Sequence, residues 1–175
     1  MTAVSSAWTG AMLVYDRHNV YKKMDDYRIA HEANHALFDD DALRCQGCAI
    51  DLAVFNRTVL LTGHVPTRAL RKKANQRLRE VSGILKLYNQ IAVLKQAQDR
   101  TIQDSWITAK IRSQIMQDAE INPRQFKVVT SDGVVYLMGD VLPYQAERVI
   151  KIASQTEGVV RVVKLLNYYH ISPQS

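Results

Sequence analysis

An α+β fold, built from two tandem copies of one α-β-β-α-β unit, is what this 175-residue sequence predicts. Three observations lead there. The phrase VLLTGHV at 59–65 returns as VYLMGDV at 135–141. Each phrase closes a strand–turn–strand pattern. Each hairpin lies between two helix patterns, and the second helix is followed by a glycine, Gly83 or Gly158.

Taken in order, MTAVSSAWTGAMLV at the start is small and apolar without a basic leader, so it reads as a tail rather than a signal peptide. The tail is drawn over residues 1–25. Ile29, Ala33 and Leu37 then recur at helical spacing. Aligning Gly63 with Gly139 sets CAIDLAVFNRTVLLTGHV against RQFKVVTSDGVVYLMGDV, which places Ile50, Leu52 and Val59 opposite Phe126, Val128 and Val135. Asp132-Gly133 is good chemistry for a tight hairpin turn. Asn56-Arg57 is poorer, and a looser turn is expected in the first copy.

Leu70, Ala74, Leu78 and Val81 share one helix face, as do Ala146, Val149, Ile150 and Ala153. Gly83 and Gly158 read as C-cap glycines. The runs ILKLYNQIAV and VVRVVKLLNYY supply a last strand each. Ile107, Ile111 and Ile115 mark the helix that opens the second copy, after the polar join LKQAQDRTIQDS. Two helices on one face of a three-stranded mixed sheet is the expected unit. At about 70 residues each core is marginal, so docking of the copies or an oligomer would supplement it.

Composition narrows the function. Hydrophobic residues make up 47% and charged residues 23%, with a net charge of +6. That balance favours acidic partners such as nucleic acid, an anionic membrane or an acidic protein. No apolar run approaches the ~20 residues of a membrane span.

The repeated order, the V-x-L-x-G-x-V phrase and the glycine after the second helix resemble BON domains. In tandem they resemble the dual-BON outer-membrane lipoproteins of Gram-negative bacteria, the DolP type. DRHNVYKKMDD at 16–26, DSWITAKIRSQI at 104–115 and DGVVYLMGDV at 132–141 carry the match. Under that resemblance residues 1–25 are a mature lipoprotein linker, 26–96 and 104–171 are the two BON domains, and 97–103 join them. It implies a non-enzymatic protein without cofactors on the periplasmic face of the outer membrane, supporting envelope integrity. It also implies phospholipid binding through the first helix of the second domain. Signal peptide and lipidated cysteine are not in the chain, and the lipid anchor is expected in the full-length form.

The residues of that helix bear on the expectation. On a helical wheel Trp106 and Met116 fall roughly 140° from the centre of the isoleucine stripe, with Ala109, Lys110 and Ser113 between them and Arg112 at the edge. Trp favours a membrane–water boundary, and a lysine stem can lie in apolar surroundings while its ammonium reaches phosphate. The bland reading is a Trp at the core edge or against the first copy. The resemblance favours anionic lipid such as phosphatidylglycerol. The other function expected of such a protein is a periplasmic scaffold or chaperone-like adaptor that binds envelope proteins.

Three further features need weighing. Arg68, Arg71, Lys72, Lys73, Arg77 and Arg79 make a helix with six basic residues and no acid. That is a solvated face or a secondary phosphate-binding surface; without an aromatic platform, no nucleic acid is expected. Residues 31–35 read HEANH, a fit to the zinc-protease pattern with His31 and His35 as ligands and Glu32 as base. A third ligand would be needed, for which His64, Glu80 and the run Asp39, Asp40 and Asp41 qualify only by type, and the twin helix has no such ligands, so two partly exposed histidines on a solvated face, open to adventitious metal rather than catalysis, are the expectation. Cys45 and Cys48 are loop residues or a local disulfide, and a lone pair is weak evidence for zinc.

Overall fold

The computed structural model describes residues 6–170, with side chains from residue 22 onward. Two units follow one another. The first comprises α1 (Ser6–Phe38), β1 (Ala49–Phe55), β2 (Thr58–Val65), α2 (Arg68–Leu78), β3 (Lys86–Asn89) and β4 (Ala92–Val93). The second comprises α3 (Thr101–Gln117), β5 (Phe126–Ser131), β6 (Val134–Val141), α4 (Pro143–Gln155) and β7 (Arg161–Tyr168). In each, an antiparallel hairpin is extended by a parallel last strand, giving a mixed sheet with the second strand at its centre.

The central strands explain the repeated phrase. Val59 and Leu61 of β2 turn to the helices, where Ile29, Ala33, Leu37, Ala74 and Leu78 close the first core. Val135 and Leu137 of β6 do the same against Ile107, Ile111, Ile115, Val149 and Ala153. The alternate residues are buried too. Leu60 and Ala53 of the first sheet pack against Tyr136 and Met138 of the second, ringed by Phe55, Tyr88, Val129 and Leu165. The two sheets therefore stack face to face between outer helix layers. Strands buried on both faces read as continuous apolar runs rather than alternating ones. Docking of the copies supplies the extra burial that units of this size need.

Polar ties fix the docking at its rim. Asp140 Oδ2 accepts from Asn56 Nδ2 of the first hairpin turn at 2.7 Å, and its Oδ1 accepts from Asn167 Nδ2 at 2.8 Å. Lys86 in turn donates to Asn167 Oδ1.

Three expectations are corrected. The first hairpin turn is not loose: Asn56 and Arg57 both take positive φ, 48° and 59°, matching Asp132 and Gly133 at 51° and 75°. A carboxylate from the preceding helix holds each turn. Asp26 accepts the Asn56 and Arg57 amides at 2.8 and 2.7 Å, and Asp104 accepts those of Asp132 and Gly133 at 2.8 Å each. Those bonds compensate a non-glycine residue in a left-handed conformation.

Gly83 and Gly158 are not helix caps. The helices end at Leu78 and Gln155 with Arg79 and Thr156 as their C-caps, and the glycines turn the chain beyond them with φ of 88°. The third strand of the first sheet is broken into β3 and β4, making four strands. At the break the Asn89 side chain accepts the Ile91 amide and donates to Arg71 O in α2, while Ile91 enters the core. The sequence leaves the order of residues 1–25 open; residues 6–25 are helical and belong to α1, and residues 1–5 lie outside the described residues.

Candidate functional site

Helix α3 has two apolar faces. Ile107, Ile111 and Ile115 are buried under β5 and α4. The opposite face is exposed at Trp106, Ala109, Lys110, Arg112, Ser113 and Met116, so all six residues singled out in the sequence lie on one open surface. Trp106 is 50% exposed and Met116 74%. Lys110 Nζ stands 6.0 Å from the centroid of the Trp106 ring, a cation–π contact that keeps the ammonium beside the indole.

One residue of this surface escaped the sequence reading. Ile102, 84% exposed, sits one turn before Trp106. It was hidden because α3 begins at Thr101, inside the stretch read as a polar join. Asp99 makes that start possible, accepting from both the Thr101 amide and hydroxyl at 2.9 and 2.6 Å. With 100° per residue, Ile102, Trp106, Ala109, Ser113 and Met116 fall within about 40° of one line. Lys110 and Arg112 flank that line on opposite sides, near ±80° by the same reckoning, so Lys110 stands beyond Trp106 and not between Trp106 and Met116 as expected.

A polar groove of about 400 Å³ follows the Arg112 side of α3, walled by Ser105, Thr108, Thr130, Ser131 and Asp51. Thr108 and Thr130 bond to each other across it at 2.8 Å. The arrangement is an apolar ridge between two cations, with hydroxyl groups along one flank. It suits a surface that is apolar inside and anionic outside.

The basic helix α2 presents less free charge than its sequence suggests. Arg77 grips Asp40 Oδ2 through Nε and Nη2 at 2.9 and 2.7 Å, and Lys73 approaches the same oxygen at 3.3 Å. Arg71 donates to Asn89 O at 3.1 Å. Arg68, Lys72 and Arg79 are exposed and form no ion pair among the described residues. The second unit repeats the device: Asp118 holds Arg148 of α4 at 2.8 and 3.0 Å. The sequence reading missed these carboxylates because they sit 37 and 30 residues from their partners.

The Arg77 guanidinium holds the Asp40 carboxyl below the usual carboxylate range, against desolvation, with the Ala42 amide and Lys73 helping. Its stabilising effect is complete above the unfolded pKa of about 3.9 and is lost as pH falls through the lower folded value. Asp40→Asn, which keeps the cap on Ala42, should lower the urea midpoint at pH 7. The gap from wild type should narrow as pH falls below about 3.9; a gap independent of pH would refute the assignment.

The remaining candidates are placed as follows. His31 and His35 are exposed on α1, their ring centroids 4.6 Å apart. Glu32 is engaged by Arg28 at 3.0 Å. Cys45 and Cys48 form a disulfide across the turn before β1, with Cα atoms 5.1 Å apart. No described helix is long and apolar enough to cross a membrane.

Comparison with known proteins adds to this geometry. The BON domain family matches residues 25–95 and 103–168. The chain is 29% identical to the 21 kDa hemolysin of Actinobacillus pleuropneumoniae, over 87% of this chain and 79% of that protein. It is 28% identical to the outer membrane lipoprotein DolP of Haemophilus influenzae, over 90% of this chain and 82% of that one. It is also 28% identical to the osmotically-inducible protein Y of Escherichia coli, over 79% and 70%.

Proposed function

Because the chain belongs to the BON domain family through both of its units, we propose that it is an envelope-associated binding protein which holds anionic phospholipid through the outer face of α3. The observation that carries this reading is the ridge of Ile102, Trp106 and Met116, exposed on a helix whose other face already has its core. A folded unit has no structural need for that second apolar stripe. An amphipathic surface with flanking cations binds membranes by burying apolar area and attracting anionic headgroups, at about 1 kcal/mol per basic residue near the surface. The net charge of +6 adds long-range attraction.

A named relative is an outer membrane lipoprotein, which supports placement at the periplasmic face of that membrane. Weak, reversible docking by one helix would be useful there, since a lipid anchor would keep the protein near its surface. In this reading the protein acts by binding and not by catalysis. The first unit serves as the platform against which the second is fixed, and Arg68, Lys72 and Arg79 form a secondary basic surface.

The reading is tested with a Trp8→Phe variant, so that Trp106 is the sole indole. Brominated-lipid vesicles with and without phosphatidylglycerol are then added. Quenching of Trp106 that requires the anionic lipid is expected. A folded protein whose Trp106 stays unquenched would shift the ridge to a protein interface, the arrangement of an envelope scaffold.

A further inference from the structure

The HEANH segment has a use that lipid binding does not absorb. Aligning the turn-holding aspartates sets α1 against α3, Asp26 with Asp104. The buried positions then coincide: Ile29, Ala33 and Leu37 with Ile107, Ile111 and Ile115. His31 and His35 fall on Ala109 and Ser113, and Asp39 falls on Gln117. The second unit builds the same fold without a histidine at either position. The fold therefore does not call for them.

We infer that His31 and His35 form a two-histidine site for a divalent transition metal on the outer face of α1, with water completing the coordination. Residues four apart on a helix face the same way, and the ring centroids are 4.6 Å apart. Imidazole suits zinc, nickel and copper ions. Asp39 approaches His35 Nδ1 at 3.3 Å. A proton held on Nδ1 leaves the Nε2 lone pair for metal, the way a carboxylate orients a ligating histidine.

The neighbouring charges are directed elsewhere. Arg28 is turned to Glu32 and to Ser82 in the turn after α2. Glu32 is thereby held off the histidine line, which is at odds with a role as general base. Cys45 and Cys48 are joined to each other and offer no thiolate. No group of three or more His, Cys, Asp or Glu side chains suited to a metal occurs among the described residues. The site is thus an open, exchangeable one rather than a closed structural centre.

Calorimetric titration of the untagged full chain with Ni²⁺ and with Zn²⁺ tests this. One ion per chain is expected. His31→Ala and His35→Ser, which install the residues of the second unit, should each weaken binding by about tenfold or more, and Asp39→Asn by about tenfold. Glu32→Gln and His64→Ala should bind as wild type. Absence of binding by the wild type, persistence of binding in the double His31→Ala, His35→Ser variant, or its loss in Glu32→Gln would each overturn the assignment.

Discussion

Trp106→Glu should abolish flotation of the protein with vesicles containing phosphatidylglycerol. The expected loss is large because two effects add. Burying the exposed half of an indole contributes about 2 kcal/mol. A carboxylate placed against an anionic surface reverses a further ~1 kcal/mol. Together these correspond to roughly a hundredfold in affinity. The fold should survive, since the core contacts of α3 are made by Ile107, Ile111 and Ile115. A thermal melt close to wild type is therefore the control. Trp106→Phe keeps an apolar ring and should retain most of the binding, while Ile102→Glu should weaken it through the same ridge. Flotation unchanged in Trp106→Glu would remove α3 from the lipid contact and turn attention to Arg68, Lys72 and Arg79.

The parts of this protein that could be read in the sequence are those whose cause is local or periodic. The isoleucine stripe of α3 and the outward Trp106 and Met116 follow from 3.6-residue spacing alone. The repeated VxLxG phrase follows from strands buried on both faces. What was missed depends on contacts between distant residues. Asp26 converts Asn56-Arg57 from poor turn chemistry into a tight turn, yet nothing near the turn announces it. Asp40 neutralises part of the α2 charge from across the unit. Ile102 was lost to the polar residues around it, among them the aspartate just before the helix that accepts the Thr101 amide. Upstream of Ile29 the positions of the buried stripe hold Lys22, Asp25 and Asp26, so the spacing alone does not join the run from Ser6 to the helix.

Gly63→Ala should unfold the first unit under conditions where the wild type is folded. β2 passes the start of β1 so closely that a Cβ on Gly63 would lie 1.9 Å from Ala49 O and 2.9 Å from its carbonyl carbon. Both obstacles are backbone, so no side-chain rotation relieves them. The φ of 100° adds strain for any residue with a Cβ. Gly139 meets the corresponding oxygen, Gln125 O, at 2.3 Å without the positive φ. A loss of about 3–5 kcal/mol is expected at Gly63, and somewhat less at Gly139. Against the marginal stability of so small a unit, that is most of what it has. Gly47→Ala separates clash from strain: its φ is 85°, but nothing lies within 4 Å of the added carbon. It should cost only about 1–2 kcal/mol. Urea midpoints for the three variants would therefore rank Gly63→Ala lowest and Gly47→Ala nearest wild type. If Gly63→Ala unfolded no earlier than Gly47→Ala, close approach of the strands would not be the reason the phrase carries its glycine. The twice-written motif would then need another cause.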